Sequence, residues 1–105
     1  MSDVKFENVT ASAVANVYFD GKVVSHAILL PDGKKKTLGL IFSGSYEFDT
    51  QAPEQMHLTA GSARVRLKGE ADFKTYDSGQ SFFVPANSAF EISVDGIAQY
   101  VCHFG

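Results

Sequence analysis

Short runs of alternating apolar and polar residues, separated by turn residues, extend over most of the chain. Turn signals such as Asp20-Gly21, Pro31-Asp32-Gly33 and Asp95-Gly96 recur about every 8 to 12 residues. The intervening runs are rich in Val, Ile, Phe, Tyr and Thr, which favour strands. They predict strands near residues 14–19, 22–30, 37–42, 45–49, 55–60, 63–67, 73–76, 81–84, 89–94 and 97–104.

This pattern predicts an all-β, jelly-roll-like barrel of about 8–10 short antiparallel strands. A chain of 105 residues has the size of one domain. We therefore expect a single domain over residues 1–105, in which residues 1–13 form either an edge strand or an irregular arm. The single cysteine, Cys102, excludes an internal disulfide. Together with the lack of an N-terminal apolar segment, it predicts a cytoplasmic protein.

The period of two within strands also predicts which side chains face the core. Two strands matter most for the chemistry, the one near residues 45–49 and the last one. Their expected inward residues are Tyr46, Phe48, Thr50, Tyr100, Cys102 and Phe104, and their expected outward residues are Glu47, Asp49 and His103.

The charge pattern gives no reason to expect a nucleic acid or a membrane as a partner. The formal net charge is -3, whereas nucleic-acid binding depends on a basic face. The basic run Lys34-Lys35-Lys36 follows the turn signal Pro31-Asp32-Gly33, which indicates a solvated hairpin end. Arg64 and Arg66 share one face of a strand, and we expect that face to be the outer one.

Two segments have the spacing of a metal-binding motif that lacks its ligands. Gly79 is followed by five residues and Pro85, and Glu54 is followed by six residues and Gly61. In cupins, which carry this spacing, three histidines would occupy positions that here hold Phe48, Thr50 and Phe90. A longer spacer would place the first two at Glu47 and Asp49, on the predicted outer face.

Of the cupin ligand set, only Glu54 remains. Transition metals need several imidazole, carboxylate or thiolate donors that converge on the ion. The sequence therefore predicts that no metal and no other cofactor is bound. An inward carboxylate costs several kcal/mol unless something pairs with it, so Glu54 is a candidate functional residue. Phenylalanines beside it form either a small-molecule pocket or an ordinary filled core.

Several segments resemble one family, the short metal-free cupins identified as pyrimidine/purine nucleoside phosphorylases. The resemblance covers about Asn16 to Phe104. It is carried by VYFDGKVVS, GSYEFDTQAPEQM, the Ala60-Gly61 turn, YDSGQSFFVPANSAFEI and YVCHF. It implies a small cupin barrel, a homodimer, and phosphorolysis of purine and pyrimidine nucleosides to the free base and a pentose 1-phosphate.

The residues can be assigned roles in such a reaction. We expect Glu54 to hold the ribose hydroxyls and to stabilise positive charge on the sugar, and Tyr46 or Tyr100 to donate a hydrogen bond to the base or sugar. Phe48 and Phe90 offer stacking faces. The predicted catalytic residues are Glu54 and Tyr46, and the predicted residues for binding nucleoside and phosphate are Thr50, Phe48, Ser88, Phe90, Tyr100 and Lys22.

Two other functions are compatible with the same residues. The stacked pocket could serve a non-catalytic cupin that binds a nucleoside-like metabolite. A metal-dependent cupin enzyme with an unconventional ligand set is the other alternative. The sequence identifies no arginine clamp for phosphate.

Overall fold

The chain consists almost entirely of short antiparallel strands. The computed structural model describes residues 4–104. Within them the strands are β1 (Thr10–Ala11), β2 (Asn16–Tyr18), β3 (Val23–Leu29), β4 (Lys35–Ile41), β5 (Gly44–Asp49), β6 (Glu54–Ala60), β7 (Ser62–Leu67), β8 (Lys74–Asp77), β9 (Ser81–Val84), β10 (Ala89–Val94) and β11 (Ala98–Phe104). No helix in this part of the chain is long and apolar enough to cross a membrane.

The strand predictions are confirmed to within a few residues at each end. The predicted strand at 14–19 stops at Tyr18, because Phe19 and Asp20 adopt φ values of 52° and 57° and begin a 3-10 turn, Phe19–Gly21. The predicted N-terminal edge strand or irregular arm falls partly on described residues. Thr10–Ala11 pairs with the edge of β3, whereas residues 4–9 are irregular. Residues 1–3 lie outside the described residues.

Two sheets make up the fold. The larger has seven strands in the order β1-β3-β4-β11-β6-β9, with β2 also paired to β3, and the smaller has the order β5-β10-β7-β8. The jelly-roll-like, all-β prediction is confirmed, but the barrel is not closed. Among the described strands no ladder joins the two sheets, and the edge strands β1 and β2 have only 2 and 3 residues with which to form one.

The core lies between the two sheets. It includes Leu58 and Val84 from the larger sheet and Val65 and Ile92 from the smaller one, all nearly inaccessible to solvent. The ring centroids of Phe82 and Phe90 lie 5.5 Å apart and join the two layers. Burial of each such side chain contributes about 1.5–3 kcal/mol, so this interior is the main source of stability.

The predicted facing of the two key strands is confirmed at most positions. Tyr46, Thr50, Tyr100 and Cys102 are buried, and Glu47 is exposed. His103 faces the outside as predicted and is half-buried, and its Nδ1 accepts a hydrogen bond from the Lys36 ammonium. The positive charge of Lys36 and burial of the ring both lower the pKa of His103, with burial the larger cause.

Thr50 links the end of β5 to the turn before β10 through hydrogen bonds. Its Oγ1 donates to the Pro85 carbonyl at 2.7 Å and accepts from the Ser88 N–H at 3.0 Å. The Thr50 N–H also donates to the Ser88 carbonyl at 2.8 Å. One buried hydroxyl therefore satisfies two backbone groups at this corner.

Replacing Thr50 by Val should lower the free energy of unfolding by about 1–3 kcal/mol, because it removes the hydrogen bonds to the Pro85 carbonyl and the Ser88 N–H. Denaturant titration of purified protein measures the change. Thr75→Val, at an exposed position of β8, is the matched control and should stay within about 0.5 kcal/mol of the wild type. Equal stability of all three proteins would contradict this role.

Candidate functional site

A cavity of about 200 Å³ opens at one end of the space between the two sheets. Its walls come from β2, β3, β4, β5, β6, β10 and β11. Both aromatic and polar side chains line it, and two of them are carboxylates. The lining residues are Tyr18, Ser25, Thr37, Ile41, Phe48, Asp49, Glu54, Met56, Phe90, Tyr100, Cys102 and Phe104.

Glu54 provides the half-buried carboxylate of this cavity. It begins β6, where it lies opposite Phe104 on one side and Val84 on the other. Its Oε1 accepts a hydrogen bond from the Cys102 thiol, with a sulfur-to-oxygen distance of 3.6 Å. Burial raises the pKa of Glu54 above its ordinary 4.5, and the hydrogen bond from Cys102 partly opposes that rise.

Cys102 is a hydrogen-bond donor in this site. Burial, followed by the negative charge of Glu54, raises the pKa of the Cys102 thiol to about 12. At neutral pH the thiol is therefore protonated and can donate to the carboxylate. Reactive cysteines need a lowered pKa, so the surroundings of Cys102 do not make it a nucleophile.

The Tyr100 side chain lines the cavity and its ring packs against Gly39. A Cβ atom on Gly39 would lie 2.3 Å from Cζ of Tyr100, so only glycine leaves room for the ring in this position. Burial is the main cause that raises the pKa of Tyr100 to about 12, while a hydrogen bond with Ser25 opposes the rise. Ser25 in turn accepts a hydrogen bond from the Asn16 amide at 3.2 Å. The Tyr100 phenol is therefore neutral and fixed at neutral pH.

The aromatic residues form a wall and a rim. Phe48 and Phe90 are stacked with ring centroids 5.5 Å apart and planes at 22°, and Phe90 is only 2% exposed. The rings of Tyr18 and Phe104, in contrast, are 46% and 39% exposed. Phe90 is thus a buried wall, and the rings with an accessible face are those at the rim.

Of the eight residues predicted for the site, the structure brings Glu54, Phe48, Phe90 and Tyr100 together in the cavity. The other four, Tyr46, Thr50, Ser88 and Lys22, are not among its lining residues. Their predicted roles in the reaction stay predictions, but their observed contacts are structural.

The Tyr46 hydroxyl donates a shared hydrogen bond to the carbonyl oxygens of Phe42 and Ser43, at 2.8 and 3.0 Å. Thr50 and the backbone of Ser88 bond to each other, as described above. Lys22 is exposed next to the 3-10 turn, and its N–H donates to the Phe19 carbonyl. The hydroxyls of Tyr46 and Thr50 are therefore already bonded to the backbone.

The sequence analysis missed several lining residues, including Tyr18, Ser25 and Thr37. A signal was available for Thr37, because it lies opposite Cys102 on the neighbouring strand, and cross-strand partners share a face. Tyr18 carried no comparable signal, since its strand has three residues, all exposed.

A larger concavity, of about 390 Å³, lies on the outer face of the smaller sheet. Glu47 and Arg66 are among its lining residues. The Arg66 guanidinium donates to Glu91 Oε1 at 2.6 Å and lies 4.6 Å from the ring centroid of Phe73. Arg64 likewise pairs with Asp95, so both arginines are on the outer face, as predicted. Because the arginine of this groove is already paired with Glu91, whereas the inner cavity contains the half-buried Glu54 carboxylate, we take the inner cavity as the candidate site.

Thr50 and Phe90 are buried, and Phe48 and Phe90 line the inner cavity, so the positions at which the motif spacing would place histidines hold no imidazole. Among residues 4–104, no group of three or more His, Cys, Asp or Glu side chains is arranged to hold a metal ion.

Known proteins resemble this chain over almost its whole length. The family model for pyrimidine/purine nucleoside phosphorylase matches residues 13–104. A protein of that name from Dechloromonas aromatica is 56% identical over 101 residues, covering 96% of this chain and 98% of its own. Its counterpart from Aromatoleum aromaticum is 57% identical over 102 residues, covering 96% and 95%.

A solved structure shows the same fold. The crystal structure of a protein of unknown function from Acinetobacter sp. ADP1 superimposes with a TM-score of 0.95 at 40% identity, over 96% of this chain and 98% of that one.

Removing the Cys102 thiol should raise the pKa of Glu54, because the hydrogen bond that favours the carboxylate is lost while the burial remains. Carbon-detected NMR titration of the Glu54 carboxyl measures this directly. In the wild type we expect a pKa above 4.5, in Cys102→Ala a higher one, and in Cys102→Ser a value near that of the wild type. A Glu54 pKa that is the same in Cys102→Ala and the wild type would show that the thiol does not act on the carboxylate.

Proposed function

The chain belongs to the pyrimidine/purine nucleoside phosphorylase family, and from this premise we propose that it cleaves nucleosides with phosphate. The N-glycosidic bond of a purine or pyrimidine nucleoside breaks, a phosphate oxygen bonds to C1′ of the sugar, and the products are the free base and a pentose 1-phosphate. The observation that carries the proposal is the Glu54 carboxylate, held half-buried in a cavity that also has aromatic walls.

The reaction needs stabilisation of a positively charged sugar. As the C1′–N bond breaks, its electron pair leaves with the base and the ring acquires oxocarbenium character. A fixed carboxylate in a place of low dielectric stabilises such a charge more than it could in water. In its ionised form Glu54 can also accept hydrogen bonds from the ribose hydroxyls, which orients the sugar for attack.

The departing base needs a hydrogen-bond donor. Tyr100 is suited to this task because its phenol stays protonated at neutral pH and its ring is fixed over Gly39. A hydrogen bond to the base relieves the negative charge that develops on it. In this assignment Tyr100 takes the role that the sequence analysis shared between it and Tyr46.

The aromatic rings that line the cavity favour binding of many different bases. Tyr18, Phe48 and Phe104 contribute aromatic rings to the cavity, and every base has a face on which an aromatic ring can stack. Stacking alone does not distinguish a purine from a pyrimidine. A cavity that relies on it would accept both classes of nucleoside.

The proposal includes three further features. The reaction proceeds without a metal ion, since Phe48, Thr50 and Phe90 replace imidazole ligands and the steps above require none. The enzyme acts in the cytoplasm, which the unpaired thiol of Cys102 supports. It forms a homodimer, and Leu38 and Phe83, exposed on the outer face of the larger sheet, supply apolar surface for one.

The proposed activity predicts base release from uridine and adenosine that depends on phosphate and persists after exhaustive chelation. Liquid chromatography of reactions with and without phosphate, before and after chelation, measures it. Release without phosphate would indicate a hydrolase. Loss of activity on chelation would indicate a metal enzyme, and tight binding without turnover would indicate a non-catalytic binding protein. Each of these outcomes would overturn the proposal.

Glu54→Gln should reduce turnover by more than about tenfold, because the amide keeps the size of the side chain but removes its charge. The matched control is Glu47→Gln, which makes the same change on the exposed outer face of β5 and should leave the rate within about twofold. Circular dichroism and thermal melting check that both variants fold. A Glu54→Gln variant as active as Glu47→Gln would remove Glu54 from the mechanism.

A further inference from the structure

The lining of the cavity contains negative charge but no fixed positive charge. Among the described lining residues, Asp49 and Glu54 are carboxylates and none is a lysine or arginine. A phosphate dianion placed beside the Glu54 carboxylate is repelled unless a cation compensates. If the proposed function holds, a cation must therefore come from the mouth of the cavity.

Strand β4 provides one. The alternate residues Thr37 and Ile41 of this strand line the cavity, and the glycine between them, Gly39, supports the Tyr100 ring. Lys35 is the next residue on the same side of the strand, at the end where β4 begins. Its side chain therefore extends from the inner face at the mouth, whereas that of Lys36 lies on the outer face beside His103.

The Lys35 ammonium lies beside a lining residue of the cavity. Its Nζ lies 5.4 Å from the centroid of the Phe104 ring, and Phe104 is itself a lining residue opposite Glu54 in the sheet. The positive charge of Lys35 also acts inside the cavity, where it partly offsets the rise in the pKa of Cys102 that burial causes. A cation–π contact of this kind holds the ammonium near the mouth while leaving its N–H groups free to bind an anion.

We propose that Lys35 is the phosphate-binding cation of this enzyme, and that the phosphate lies at the mouth of the cavity between the Lys35 ammonium and the sugar held by Glu54. This inference rests on the proposed function, since it assigns the second substrate of that reaction. Lys34 and Lys35 are exposed, as the prediction of a solvated hairpin end requires, whereas Lys36 is half-buried beside His103. The inference also places phosphate away from Thr50 and Ser88, which bond to each other.

The test compares two neighbouring lysines. Lys35→Met removes the charge and keeps the length of the side chain, and Lys34→Met makes the same change at an exposed position in the hairpin turn. With saturating uridine and varied phosphate, Lys35→Met should raise the KM for phosphate at least about tenfold and leave the KM for uridine within about twofold. Lys34→Met should match the wild type, and Lys35→Arg should recover most of the affinity for phosphate.

Binding of inorganic phosphate, followed by phosphorus-31 NMR without nucleoside, provides a readout that does not need activity. Phosphate should bind to the wild type and to Lys34→Met, and at least about tenfold more weakly to Lys35→Met. If the wild type releases base with phosphate but Lys35→Met has an unchanged KM for phosphate, the assignment of Lys35 is wrong and the proposed function stands. If the wild type releases no base, the proposed function is wrong, and the NMR comparison alone decides whether Lys35 binds phosphate: equal binding to all three proteins overturns the assignment.

Discussion

The site depends on one strand that is hydrogen-bonded along both of its edges. β11 pairs with β4 on one side and β6 on the other, so neither its register nor its facing can slip without breaking two ladders. Tyr100, Cys102 and Phe104 must therefore point between the sheets. The same pairing places Glu54 opposite Phe104 and brings the beginning of β4, with Lys35, to the same end of the sandwich. The chemical groups of the cavity are positioned by backbone pairing rather than by loops.

Electrostatics then determines what these groups can do. A carboxylate between two apolar sheets is costly, and within residues 4–104 the hydrogen-bond donor to this one is the weak, neutral Cys102 thiol. A strong partner such as an arginine would neutralise the carboxylate. A weak one leaves most of its charge available to a ligand. A metal ion at Glu54 would occupy the oxygens that the proposed mechanism assigns to the sugar, and Phe48 and Phe90 beside Glu54 offer no metal ligand.

The alternation of apolar and polar residues and the motif spacing predict much of the fold, and half of the predicted site residues line the cavity. Strand alternation identified Phe48 and Tyr100 as inward-facing, because the pleat permits only two directions, and the motif spacing identified Phe90. Alternation predicts which face of the sheet a side chain is on, but not how deeply the side chain is buried. It could not show that the Tyr46 and Thr50 hydroxyls would bond to nearby carbonyls, as buried polar groups generally do. The sequence analysis also treats Lys34, Lys35 and Lys36 as one group, although neighbouring residues on a strand face opposite ways and the structure places Lys35 near Phe104 and Lys36 beside His103.

The central claim is that nucleoside and phosphate meet inside this cavity, with the sugar at Glu54 and the anion at Lys35. A crystal structure of the enzyme with uridine and sulfate, an anion that cannot complete the reaction, tests it most directly. The account predicts ribose hydroxyls within hydrogen-bond distance of the Glu54 carboxylate and sulfate within reach of Lys35 Nζ. Uridine bound in the outer groove beside Glu47 and Arg66, with the inner cavity unoccupied, would contradict it.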